Sequence, residues 1–308
     1  MISRRTLLLG ALALPVAACA ARPSTPAGAP TTTARTSAPP TTTTPQVDPA
    51  VADARFAALE HKYRTRLGVY AVATGSGASV AYRADDRFAF CSTFKTLAAA
   101  AVLHAHPLSY LEEAVAIRKS DVDSISPITE HHIGSTMTIR QLCDAAIRFS
   151  DGTAGNLLMR DIGGPAALTA YLRGLGDTVS RIDNYEPALN RDSPGDPRDT
   201  TTPRAVVADY RQVVLGTALT GDKRSLVATW LKNSTTGAHG IRAGVPAGWV
   251  VADKTGHGDY GRANDIAVTW PPGSAPLVIA ILSDRSGYDA AAQYAIIADA
   301  TAFLTTVL

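Results

Sequence analysis

Apolar positions recur with two different periods along this chain. From Phe56 to Arg66 they fall at helical spacing, which predicts an amphipathic helix. Gly68 to Val72 and Ser79 to Arg83 read instead as two strands, joined through the Gly75-Ser76-Gly77 turn. Far downstream, Gly248 to Ala252, Asp265 to Trp270 and Pro276 to Leu282 read as three more strands, followed by a helix from Asp289 to about Leu308. The stretch between, roughly Thr93 to Leu219, carries helical patterns such as Ile139 to Phe149 and Pro203 to Leu215. Sheet-forming pieces therefore flank a helical insert.

The N-terminus follows neither period. Ser3-Arg4-Arg5 and the apolar run Leu7 to Ala18, too short to span a bilayer, predict a signal peptide over 1–18 with a twin-arginine head. Val16-Ala17-Ala18-Cys19 resembles a bacterial lipobox, so Cys19 is the expected lipidation site and mature N-terminus. The bland alternative is a small-residue cleavage site beside an incidental cysteine. Residues 19–47 are Thr, Pro and Ala with almost no large apolar side chain, and cannot repay the entropy of folding. They predict an extended tether. The expected location is the cell envelope, lipid-anchored on the outer face of the membrane, after export as a folded protein.

Composition sets the remaining bounds. At 308 residues and 46% hydrophobic, the chain can bury a substantial core. The formal charge is +2, and removing Arg4 and Arg5 with the leader leaves 27 basic against 27 acidic residues, so no electrostatic case for nucleic acid remains. The seven histidines, among them His104, His106, His131 and His132, form no zinc-type pattern, and no metal or cofactor is expected. Cys91 and Cys143 are expected to be free and buried, with a disulfide between them as the alternative.

The chemistry starts at Ser92-Thr93-Phe94-Lys95. On a helix this spacing sets a hydroxyl and an amine on one face, and a serine needs such a neighbour to take its proton. Ser-x-x-Lys alone recurs by chance on surface helices. Here Ser150-Asp151-Gly152, then Glu186-Pro187-Ala188-Leu189-Asn190, then Lys254-Thr255-Gly256 follow it in order. Together they resemble the active-site elements of class A serine β-lactamases, from about Phe56 to the C-terminus.

That resemblance implies an α/β fold: a five-stranded antiparallel sheet flanked by helices (about 48–86 and 220–308), plus an all-helical lobe (about 87–219), within one catalytic domain over 48–308. It implies penicillins and cephalosporins as substrates of a monomer. Ser92 would attack the ring carbonyl, with Lys95 close enough to take its proton directly or through water; which base acts in this step is left open. Ser150 would pass a proton to the departing nitrogen, tuned by Lys254, while Glu186 and Asn190 would hold the water that clears the ester. The resemblance places Ile125, Gly152, Thr255, Gly256 and His257 against the substrate, and the backbone N–H groups of Ser92 and His257 around the oxyanion. It also suggests a cis bond at Glu186-Pro187.

Three departures stand out. Gly152 replaces the family's usual asparagine, which predicts a roomier pocket, broad substrate acceptance and weaker response to mechanism-based inhibitors. Asn184 stands where an arginine usually pairs with the aspartate matching Asp199, so Asp199 needs another partner, with Arg181 the candidate, or the loop is looser. The arginine that binds the substrate carboxylate has two family positions, which align to Gly240 and Ala263, and both are empty. Arg242 and Arg262 lie adjacent, but strand alternation points them away from the site. Carboxylate binding then falls to Lys254 and Thr255, with His257 as a helper. The rival readings are a penicillin-binding DD-peptidase, against which Glu186 and Asn190 argue, and an envelope protein that sequesters β-lactams with little turnover.

Overall fold

The computed structural model describes residues 48–122 and 125–308. The expected signal peptide, Cys19 and the tether lie outside the described residues. In chain order the elements are α1 (Pro49–Tyr63), β1 (Arg66–Ala73), β2 (Ser79–Tyr82), β3 (Phe88–Ala89), α2 (Phe94–Ala105), β4 (Ala114–Ala116), β5 (Thr136–Thr138) and α3 (Ile139–Arg148). Next come α4 (Gly152–Asp161), α5 (Pro165–Gly174), β6 (Thr200–Thr201), α6 (Pro203–Val214), α7 (Gly221–Lys232) and α8 (Ile241–Gly244). The chain closes with β7 (Val250–Gly258), β8 (Arg262–Trp270), β9 (Leu277–Asp284) and α9 (Tyr294–Val307).

The expected sheet is present, five-stranded and antiparallel in the order β2-β1-β9-β8-β7. Both faces are buried, and β9 shows how. Val278, Ala280 and Leu282 face one hydrophobic cluster with α2 to α6, while Leu277, Ile279 and Ile281 face another with α1 and α9. A strand buried on both sides reads as a continuous apolar run. Helix α6 falls in the stretch assigned to the helical lobe, yet it packs on β1, β8 and β9.

Element boundaries differ from expectation where chemistry overrides hydropathy. Helix α1 starts at Pro49 rather than Phe56, because the Asp48 side chain accepts from Ala50 N at 2.9 Å and Pro49 suits the first turn. It ends at Arg64 in a left-handed conformation (φ 50°). Helix α9 begins at Tyr294, five residues late by the hydropathy pattern. The largest difference is β7, which runs on from the apolar stretch through Lys254-Thr255-Gly256 to Gly258, every residue paired with β8. Its polar half hides the strand from hydropathy and places the motif on the sheet edge.

Candidate active site

Ser92 sits in a single 3-10 turn, Cys91–Thr93, just before α2. That turn is pinned from three sides. Phe90 N donates to Asp199 O at 2.8 Å, Asn264 of β8 donates to Ala89 O at 2.8 Å, and Tyr210 of α6 donates to Thr93 O at 2.9 Å. Cys91 adopts φ 46° and is buried and free, as is Cys143. It lies in the 3-10 turn rather than an α-helix, and burial pushes its thiol up to about 12.

Lys95 lies in the first turn of α2, 1% exposed. Gly155 of α4 makes room for it, since a Cβ there would meet Lys95 Cε at 2.9 Å. Its Nζ lies 2.8 Å from Ser92 Oγ, 2.7 Å from Ser150 O and 3.0 Å from Glu186 Oε2. Three acceptors match the three N–H bonds of an ammonium. The Ser92 hydroxyl then donates to Glu186 Oε1 at 2.9 Å. Burial alone would raise the Glu186 carboxyl, but the Lys95 ammonium beside it, with hydrogen bonds from Lys95, Ser92 and Asn190, holds it below the ordinary range.

Ser150 joins α3 to α4 in a left-handed conformation (φ 58°), uncommon for a residue with a side chain and worth on the order of 1 kcal/mol or more of strain. Asp151 holds the bend in place. Its buried carboxylate accepts from Ala154 N, Ile128 N, Thr129 N and the Thr129 hydroxyl, all at 2.8–2.9 Å. Lys254 Nζ reaches Ser150 Oγ at 2.9 Å and Thr255 O at 2.8 Å. Burial, with Lys95 nearby, lowers the Lys254 ammonium to about 7, and the same two influences lower His257.

The loop over 181–199 carries Glu186, Asn190 and the cis Glu186-Pro187 bond suggested by the resemblance. The Asn156 side chain of α4 spans Glu186, accepting from its N–H at 3.0 Å and donating to its C=O at 2.8 Å. Asp199 does not pair with Arg181, which binds Asp183 instead. It accepts from the backbone of Asp183 and Asn184 and from the Asn184 side chain at 2.7 Å. The residue in the arginine's place is therefore itself the brace, and burial raises the Asp199 carboxyl.

These groups surround a cavity of about 760 Å³, a size suited to a drug-sized ligand. Ser92, Lys95, Ser150, Glu186, Asn190, Thr255, His257 and Ile125 all line it. The other expected residues serve it from behind. Lys254 touches it through Ser150, and Gly256 packs on the 91–93 turn, where a Cβ would meet Phe90 O at 3.1 Å. Gly152 N donates to Ile125 O at 2.8 Å, fixing a residue that stands 67% exposed at the rim. Gly240 has no room for a side chain, because a Cβ there would lie 2.2 Å from Asp265 Oδ2, which caps Ile241 N. Arg242 does turn away, though from the short helix α8 rather than a strand, and pairs with the buried Asp253.

Sequence reasoning missed Thr236, whose hydroxyl lies 2.6 Å from that of Thr255, and Phe149, Arg191, Asp259 and Tyr294, which also line the cavity, as well as Asn156, which holds Glu186 from behind. Phe149 and Arg191 neighbour motif residues in the chain; Thr236, Tyr294 and Asn156 are brought to the site by folding. Among the described residues no cluster of His, Cys, Asp and Glu could hold a metal ion.

The geometry has counterparts in known proteins. The beta-lactamase enzyme family matches residues 52–307. A beta-lactamase of Mycobacterium tuberculosis is 58% identical, the match covering 84% of this chain and 87% of that protein. One of Amycolatopsis lactamdurans is 54% identical, covering 85% and 86%. The crystal structure of a beta-lactamase from Desulfarculus baarsii superposes with a TM-score of 0.82 at 47% identity, covering 84% of this chain and 98% of that one. A buried Ser-Lys-Glu cluster facing a Ser-Lys pair across one cavity thus recurs in a chain alike in sequence and fold to these proteins, and the chain belongs to the beta-lactamase enzyme family as a class A serine β-lactamase.

Proposed function

We propose that the protein hydrolyses the β-lactam ring of penicillins and cephalosporins, and so confers resistance to them, through an ester on Ser92 that Glu186 clears. The observation carrying this is the Ser92 hydroxyl donating to Glu186 Oε1 at 2.9 Å while Lys95 occupies the serine's lone pair. An ammonium with three acceptors has no lone pair to offer, so in the resting arrangement Glu186 is the base. Ser92 Oγ attacks the ring carbonyl and its proton passes to Glu186. The backbone N–H groups of Ser92 and His257 hold the oxyanion, a role carried over from the resemblance. The ring C–N bond then breaks, and the nitrogen takes the Ser150 proton, which Lys254 replaces.

Once Ser92 is an ester it no longer donates to Glu186. The proton that Glu186 took passes to Lys95, 3.0 Å away, as Lys95 gives one on to the Ser150–Lys254 pair, and the regenerated carboxylate deprotonates a water held with Asn190, whose Oδ1 is buried without a partner among the described residues. Attack by that water breaks the ester C–O bond, and Ser92 Oγ regains a proton from the cluster. The substrate carboxylate falls to Lys254 and Thr255. His257, its ring basicity lowered by burial, contributes hydrogen bonding rather than charge. Gly152, without the amide the family usually has there, holds Ile125 at the rim, and broad acceptance with weaker inhibition remains the expectation for this site.

A chromogenic cephalosporin tests the scheme. Multiple turnovers are expected from the parent, a single equivalent from Glu186→Ala, formed slowly because the acylation base is gone and not released because the deacylation base is gone too, and no labelling of Ser92→Ala. One equivalent of opened ring from the parent would make the protein a β-lactam trap. For the whole chain the proposal extends to export by the twin-arginine leader, lipidation at Cys19, a tether over 19–47, and a monomeric catalytic domain held at the outer face of the membrane. Its support is the sequence Ser3-Arg4-Arg5, the run Val16 to Cys19 and the Thr/Pro composition that follows.

A further inference from the structure

Arg262 opens β8 and is 3% exposed. Burying a guanidinium is costly unless its N–H groups find acceptors. Here the acceptors are two carbonyls of the 181–199 loop: Nη1 donates to Asn190 O at 2.8 Å, and Nη2 donates to Asp192 O. Asn190 O also accepts from Asp259 N at 3.2 Å. Opposite Arg262 in the hairpin register stands Gly258, where a Cβ would lie 2.8 Å from the same carbonyl. The β7–β8 hairpin therefore meets the loop backbone at Asn190 with a side chain, a peptide N–H and a glycine chosen for closeness.

We infer that Arg262 is a positioning residue for deacylation: by holding the carbonyls of Asn190 and Asp192, it sets where the Asn190 side chain and Glu186 stand above the Ser92 ester. This rests on the acyl-enzyme reading above. The loop's other anchors act elsewhere, Asn184 on Asp199 at its base and Asn156 at Glu186. Arg198 pairs with Asp192 and Asp196, but all three belong to the loop and cannot fix it to the sheet. Arg262 comes from the sheet. Its guanidinium lies among Asp192, Ser193 and Asp284, away from the substrate cavity, so its influence on the reaction passes through the loop.

The test separates the two chemical steps in full-length protein. Arg262→Ala and Arg262→Lys are mixed with a chromogenic cephalosporin; the burst gives acylation, and mass spectrometry after dilution gives decay of the acyl-enzyme. Arg262→Ala should acylate within about twofold of the parent yet decay roughly 10- to 100-fold more slowly, the scale set by misplacing a reacting group by about 1 Å. With decay limiting, kcat and KM should fall together and kcat/KM stay nearly constant. Added guanidinium ion should restore part of the decay rate. Arg262→Lys, which keeps the charge but loses the planar fork, should fall between.

Decay at the parent rate in both variants overturns the inference. So does an equal fall in acylation and decay, which would mean general loosening. Should Arg262→Ala not fold, the same comparison on Arg262→Lys decides. If the parent turns over but the folded variants decay at its rate, this inference fails alone. A parent that stops at one equivalent takes the acyl-enzyme scheme down with it.

Discussion

At the scale of single residues the site is an arrangement of charges kept from water. Lys95 and Glu186 are a buried ion pair, and removing either partner leaves the other uncompensated, a loss of about 3–5 kcal/mol. Among the described residues Lys254 has no ion-pair partner of that kind, and its ammonium is lowered to about 7. Its charge is therefore present at low pH and lost as pH rises past that value. If it binds the substrate carboxylate, kcat/KM should decline above about pH 7 for carboxylate-bearing substrates, while kcat holds, because the bound carboxylate keeps the proton on. A substrate esterified at that carboxylate should lack the decline, and Lys254→Arg, which stays charged, should flatten it. An unchanged limb in both experiments would assign the titration to another group.

At the scale of elements, function depends on how helices begin. Asp151 caps α4 and accepts from Ile128 and Thr129 with the same carboxylate, so one side chain ties α4, Ser150 and the 125–129 segment together. Asp151→Ala strands four donors, three of them buried. It should lower stability by about 3 kcal/mol or more and slow acylation by displacing Ser150. Urea midpoints with stopped-flow acylation rates check this; a midpoint matching the parent would show that water replaces the carboxylate. The edge strand β7 teaches the complementary lesson. Its ladder with β8 carries Lys254 into place although its polar half has no hydrophobic signature.

At the scale of the whole molecule, the described structure opens on Asp48, whose side chain caps the first helix, and α1 buries Ala52, Phe56 and Leu59 under α9 and the sheet. Both ends of the described chain thus complete one hydrophobic cluster. A chain starting at Asp48 is expected to keep kcat/KM within about twofold of the full-length protein and to be recovered in the soluble fraction. If Cys19 carries the proposed acyl anchor, Cys19→Ser in the full-length chain should move activity from membrane to medium without altering it. Fractionation of expressing cells with activity assays reads both; membrane-bound activity in Cys19→Ser would place the anchor elsewhere.

The sequence alone determined which groups are candidates for the chemistry and their order, because short motifs bind chemistry to spacing: Ser92 and Lys95 on adjoining turns, Ser150 before a helix cap, Glu186 four residues before Asn190. It also determined the sheet, whose apolar strands are legible wherever both faces are buried. Only the tertiary structure decided which partner each group meets. Asp199 turned to Asn184 rather than Arg181, and Arg262 reached Asn190 O across 72 positions of chain. The physical reason is that a buried polar group must be satisfied by whatever the fold brings within about 3 Å. Such contacts depend on the packing of distant segments, which no local pattern encodes.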